Sequence, residues 1–106
     1  IYRAAASEGD EMETWRAGLR AEARVGVGRA EEALELAEWA TETARARGML
    51  WSLPLTLQAV AIALAATGRE GVDAALDQAA EVARETGAMI SLGAVETTRE
   101  TLGVAP

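Results

Sequence analysis

The sequence predicts an all-α protein of antiparallel helical hairpins, about five helices on a repeat of 39 residues. Three observations predict it. Half of the 106 residues are hydrophobic, yet only 4% are aromatic and Phe is absent. Alanine-rich chains pack helices closely, whereas sheets draw on β-branched and aromatic residues. Gly9, Gly48 and Gly87 stand 39 residues apart. The stripe Ala33, Ala37, Ala40 and Ala44 falls in phase with Val72, Leu76, Ala79 and Ala83. The flanks of the glycines recur as well. Ala44-Arg45-Ala46-Arg47-Gly48 aligns with Ala83-Arg84-Glu85-Thr86-Gly87, and Met49-Leu50-Trp51-Ser52-Leu53 with Ala88-Met89-Ile90-Ser91-Leu92.

Residues 1–8 read as the last turns of a helix that Gly9 ends, as a left-handed C-terminal cap would. The next helix runs from Glu11 to about Val27. Asp10, Glu11 and Glu13 sit at its start, where carboxylates favour the positive end of the helix dipole. Gly28 closes it. Ala30–Arg47 follows, with Arg45 and Arg47 in the last turn and Gly48 as cap. Its apolar stripe is Ala30, Ala33, Leu34, Ala37, Ala40, Thr41 and Ala44. Glu31, Glu35, Glu38 and Glu42 occupy the opposite face.

Gly48–Thr67 is the most apolar stretch and reads as a helix buried between two others. Ser52 is its expected N-cap, with Pro54 in the first turn, where a missing N–H costs least. Gly68-Arg69-Glu70-Gly71 is a turn. Val72–Thr86 is the next amphipathic helix, capped by Gly87. Ser91 is expected to cap a last helix, Leu92 to Leu102. The chain reads as one domain, residues 1–106, belonging to a larger protein. Its exposed end hairpins predict self-association into a homodimer.

Composition excludes several function classes. The net charge is −7 and the pI about 4.6, which opposes direct contact with a phosphate backbone or an anionic membrane surface. Leu50–Ala66 carries Ser52, Pro54, Thr56 and Gln58 and reads as a core helix rather than a membrane span. The start lacks the apolar core of a signal peptide. Cys is absent, which fits a cytoplasmic protein.

Chemistry is equally sparse. With no His and no Cys, the usual bases, nucleophiles and soft-metal ligands are missing. Every basic residue is arginine, so a Ser/Lys pair is excluded as well. The run Glu8, Asp10, Glu11 and Glu13 lacks the ligand alternation of a calcium loop. Val25-Gly26-Val27-Gly28-Arg29 has neither the preceding strand nor the lysine of a phosphate loop. The expectation is no catalysis, no metal and no cofactor. Trp15 and Trp51 read as packing within the hairpins. Trp39, displaced toward the acidic face, reads as an exposed anchor for a partner, so that Trp39→Ala should weaken binding and spare stability. Glu35, Glu38 and Glu42 read as solvated surface or as an acidic groove for a basic segment.

GRAEEALELAEWATETARARG (Gly28–Gly48), loosely repeated as GREGVDAALDQAAEVARETGA (Gly68–Ala88), resembles tetratricopeptide-like hairpins. The period is longer than the usual one of about 34, and no proline closes each unit. Such hairpins occur in the regulatory regions of bacterial transcriptional activators of the LuxR/MalT type and in related multidomain ATPases and cyclase-linked regulators. The closing segment, ETGAMISLGAVETTRETLGVAP, looks like the hairpin that precedes their DNA-binding domain. The resemblance implies a right-handed superhelix serving as a sensor or protein-interaction arm. The implied partners are a protein or peptide, a small inducer, or neighbouring domains. The alternatives are the helical scaffold of a signalling enzyme, such as a nucleotide cyclase, kinase or ATPase, and a free-standing structural bundle.

Overall fold

A computed structural model describes residues 12–103, and among them the chain forms five helices and no strand. They are α1 (Glu13–Gly26), α2 (Ala30–Ala46), α3 (Leu53–Ala66), α4 (Val72–Thr86) and α5 (Met89–Thr101). The expected helix end at Gly9 lies outside the described residues.

Two layers build the fold. α1, α3 and α5 form one, with α3 packed against both neighbours. In the second layer α2 sits against α1 and α3, and α4 against α3 and α5. The backbones of α2 and α4 do not approach each other closely. The shortest dimension, 18 Å, matches two helix layers spaced about 8–10 Å apart.

α3 is central because it has no polar face to give to solvent. Leu53, Thr56, Leu57, Gln58, Ala59, Ala61 and Ala63 are all buried. Ala59 and Ala63 join Ala17 and Ala21 of α1 and Ala33, Leu34, Leu36, Ala37 and Ala40 of α2 in one core cluster. Leu53, Leu57 and Ala61 join Ala44 of α2, Ala75, Leu76, Ala79 and Ala80 of α4 and Val95 of α5 in a second. Close approach depends on small residues. A Cβ on Gly18 of α1 would lie 3.3 Å from Leu55 Cγ of α3.

The helix ends share one closing geometry. At Gly48 (φ 67°) the glycine N–H donates to the Arg45 carbonyl at 3.2 Å and the Met49 N–H to the Ala44 carbonyl at 2.8 Å. At Gly87 the same bonds run to Arg84 and Ala83, at 3.2 and 2.8 Å. This is the Schellman pattern, and it satisfies carbonyls that a helix end leaves orphaned. The ends of α1 and α3 close alike, through Arg29 N–H to Arg24 (2.8 Å) and Arg69 N–H to Leu64 (2.9 Å).

Two serines behave differently from expectation. Ser52 occupies the N-cap position of α3 but caps no backbone N–H. Its hydroxyl instead pairs with Thr14 Oγ1 at 2.9 Å and donates to the Met49 carbonyl at 3.1 Å. Ser91 lies inside α5, which starts at Met89. The proline explains the difference. Pro54 has no N–H to donate back to residue 50, so α3 begins at Leu53. The corresponding residue one unit later is Gly93, which keeps its N–H, and the helix extends back.

Candidate functional site

Because α2 and α4 both rest on α3 without a close approach of their backbones, a groove of about 260 Å³ lies between them. Three helical stripes line it. Leu57, Val60 and Leu64 of α3 form the floor. One wall is Glu38, Thr41, Glu42 and Arg45 of α2. The other is Gly71, which precedes α4, with Ala74, Ala75 and Gln78 of α4. Each stripe follows the three-and-four spacing that brings residues onto one helix face.

The chemistry of the groove is apolar below and acidic on one side. Thr41 is buried and donates its hydroxyl to the Ala37 carbonyl at 2.9 Å, which leaves its polar atom bound within its own helix. Glu38 and Glu42 are exposed, and among the described residues neither carboxylate is held by an arginine. Arg45 reaches across to Gln78 Oε1 at 2.5 Å and bridges the two walls at one end. Beyond the other end, Arg69 pairs with Glu31 at 2.7 Å.

Of the four residues singled out from the sequence, the structure brings Glu38 and Glu42 together on this wall. Glu35, one turn nearer the start of α2, lines a different cleft with Arg24, Arg29, Glu32 and Leu36. Trp39 is half-buried and packs against the first core cluster. The more exposed tryptophans are Trp15 (38%) and Trp51 (48%). Their rings meet edge to face at 6.4 Å.

Sequence reasoning missed the floor and the second wall. Leu57, Val60 and Leu64 were hidden in a helix that is apolar all round, where no stripe stands out. A signal for the first wall was present in the repeat. Shifted by 39 residues, Glu38, Thr41, Glu42 and Arg45 become Asp77, Ala80, Glu81 and Arg84. These four line a second cleft of about 690 Å³ between α4 and α5. There the positions of Leu57 and Val60 are taken by Glu96 and Arg99, and Arg99 holds Asp77 at 2.7 Å and Asp73 at 3.6 Å. The second cleft repeats the wall but not the apolar floor.

The same register links a row of exposed apolar side chains, Met12 (38%), Trp51 (48%) and Ile90 (92%), at the starts of α1, α3 and α5.

Among the described residues no group of three or more acids is placed to hold a metal ion, and no helix is long and apolar enough to cross a membrane. Burial raises the Glu22 carboxyl above the usual glutamate range. No protein-family model, curated protein or solved structure matches the chain.

Proposed function

We propose that the chain is a non-catalytic protein-interaction module, the regulatory or sensor arm of a cytoplasmic bacterial transcriptional regulator. Its hairpins stack in tetratricopeptide-like fashion on a 39-residue repeat, as a right-handed superhelix. The observation that carries the interaction reading is the α2–α4 groove, with its apolar floor and unneutralised carboxylates. Interfaces concentrate their energy in such desolvated spots rimmed by polar groups. Two further observations support the repeat. The ends of α2 and α4 close through equivalent bonds, and the wall Glu38/Thr41/Glu42/Arg45 recurs 39 residues later. The place in a transcriptional regulator rests on the resemblance of Gly28–Gly48 and Gly68–Ala88 to LuxR/MalT-type hairpins.

The reading frame on both sides of these residues tests the assignment. A helix-turn-helix downstream, with an ATPase upstream, is the expected result. A cyclase or kinase domain would move the module into a signalling enzyme. A frame with neither would overturn both.

A further inference from the structure

We propose that the occupant of the α2–α4 groove is a basic amphipathic helix of a partner protein. The inference rests on reading that groove as a docking site, and adds what docks there. Charge complementarity selects the sign. Glu38 and Glu42 stand on one wall with no arginine holding them among the described residues and outnumber Arg45, which turns across to Gln78, in a chain of net charge −7. An occupant that presents Lys or Arg to that wall finds two carboxylates ready to pair.

Shape selects a helix. The lined part of α2 runs from Glu38 up to the bridge of Arg45 and Gln78, roughly 10 Å at the rise of an α-helix. Two turns of an amphipathic helix match that length, laying leucine-like side chains on Val60 and Leu64, the floor residues that are only half-buried. The opposite wall, Gly71, Ala74 and Ala75, is small, so the incoming backbone can approach closely.

Other occupants fit worse. At about 260 Å³ the groove is below the roughly 300–1,000 Å³ of small-molecule sites. Its carboxylates repel nucleic acid. In the larger cleft between α4 and α5, Asp77 is already held by Arg99, and Glu96 and Arg99 interrupt the apolar floor.

The test uses a labelled 14-residue helical peptide of leucine and lysine, with leucines on one face, read by fluorescence anisotropy. Matching leucine/glutamate and leucine/glutamine peptides serve as comparisons. The expected result is binding of the lysine peptide alone. E38Q/E42Q should weaken it roughly fivefold, the loss of two exposed pairs. Ala74→Arg, at an exposed helical position, should abolish it by filling the groove with a like charge. Glu35→Gln, in the separate cleft beside Arg24 and Arg29, should leave it unchanged. Lysine-peptide binding that neither E38Q/E42Q nor Ala74→Arg alters would overturn the proposal. Equal binding of the glutamate or glutamine peptide, blocked by Ala74→Arg, would overturn the basic occupant and leave the docking groove standing. A dimer of the chain that Ala74→Arg dissociates would make the occupant a second copy. Binding of no peptide would overturn the docking reading as well.

Discussion

The hydroxyls of Thr14 and Ser52 lie 2.9 Å apart, both buried, and tie α1 to the start of α3. On the other side of α3, Thr98 Oγ1 donates to Gln58 Oε1 at 2.8 Å and ties α5 to the same helix. The layer that supports the groove is thus held by apolar packing plus one polar contact on each side of α3. Polar pairs of this kind fix register, because breaking one leaves a buried group without a partner.

Ser52→Ala should therefore destabilise the fold by about 1–3 kcal/mol, the cost of stranding the Thr14 hydroxyl. Met49 Sδ, 3.7 Å from Thr14 Oγ1, is too weak an acceptor to compensate. Adding Thr14→Val should restore most of the loss. Urea denaturation of the two single variants and the double variant measures the coupling, and additive losses would show that the pair does not act as a unit.

The tryptophans should separate by position. Trp39 packs against the first core cluster, so Trp39→Ala should lower stability by about 1–3 kcal/mol, less than a fully buried aromatic. This differs from the expectation of an exposed anchor drawn from its place beside the acidic face. Trp51→Ala forfeits mainly its edge contact with Trp15, about 0.5–1.5 kcal/mol. Acrylamide should quench Trp15 and Trp51 more strongly than the half-buried Trp39. Single-tryptophan variants read this directly.

Glu22 gives a pH signature. Burial raises its carboxyl, so the folded chain holds this proton more tightly than the unfolded chain. For this group stability then falls as pH rises, through the window from the unfolded value up to the raised folded one. Glu22→Gln removes the term. The variant should match the parent below about pH 4 and exceed its stability near pH 7. Urea midpoints at the two pH values check it, and a gap that closes with rising pH would contradict the cause.

Two glycines should respond oppositely to alanine. Gly48 ends α2 with φ 67°, a conformation that costs an L-residue roughly 1–2 kcal/mol. Gly48→Ala should be destabilising by about that amount. Gly93 lies inside α5, and a Cβ there would meet nothing within 4 Å. Gly93→Ala should stabilise by roughly 0.5–1 kcal/mol, the helical penalty of glycine. Thermal melts of the two variants decide.

Much of the fold was legible because α1, α2 and α4 each bury one stripe and expose the other face. Ala33, Leu34, Ala37, Ala40, Thr41 and Ala44 are buried as their spacing predicts. Leu36 is buried too, although it lies off that stripe, because the flank of α2 beside α1 is also covered. α5 starts at Met89, ahead of the expected Leu92, because Gly93 stands where α3 has Pro54 and keeps its N–H. The candidate site was half legible. Charge placed Glu38 and Glu42 on a common face, and the structure puts them on one wall. No sequence signal separated Glu35 and Trp39 from them, since the four residues share one side of a helical projection. Which flank meets the groove depends on where α4 packs, and that is a tertiary fact.

The most direct measurement is an NMR titration of the labelled chain with the leucine/lysine peptide. Amide shifts should be confined to Glu38, Thr41, Glu42, Val60, Ala74 and Gln78 and should weaken as salt is added. Shifts centred on the apolar row of Met12, Trp51 and Ile90, or on the cleft between α4 and α5, with the groove unmoved, would contradict this.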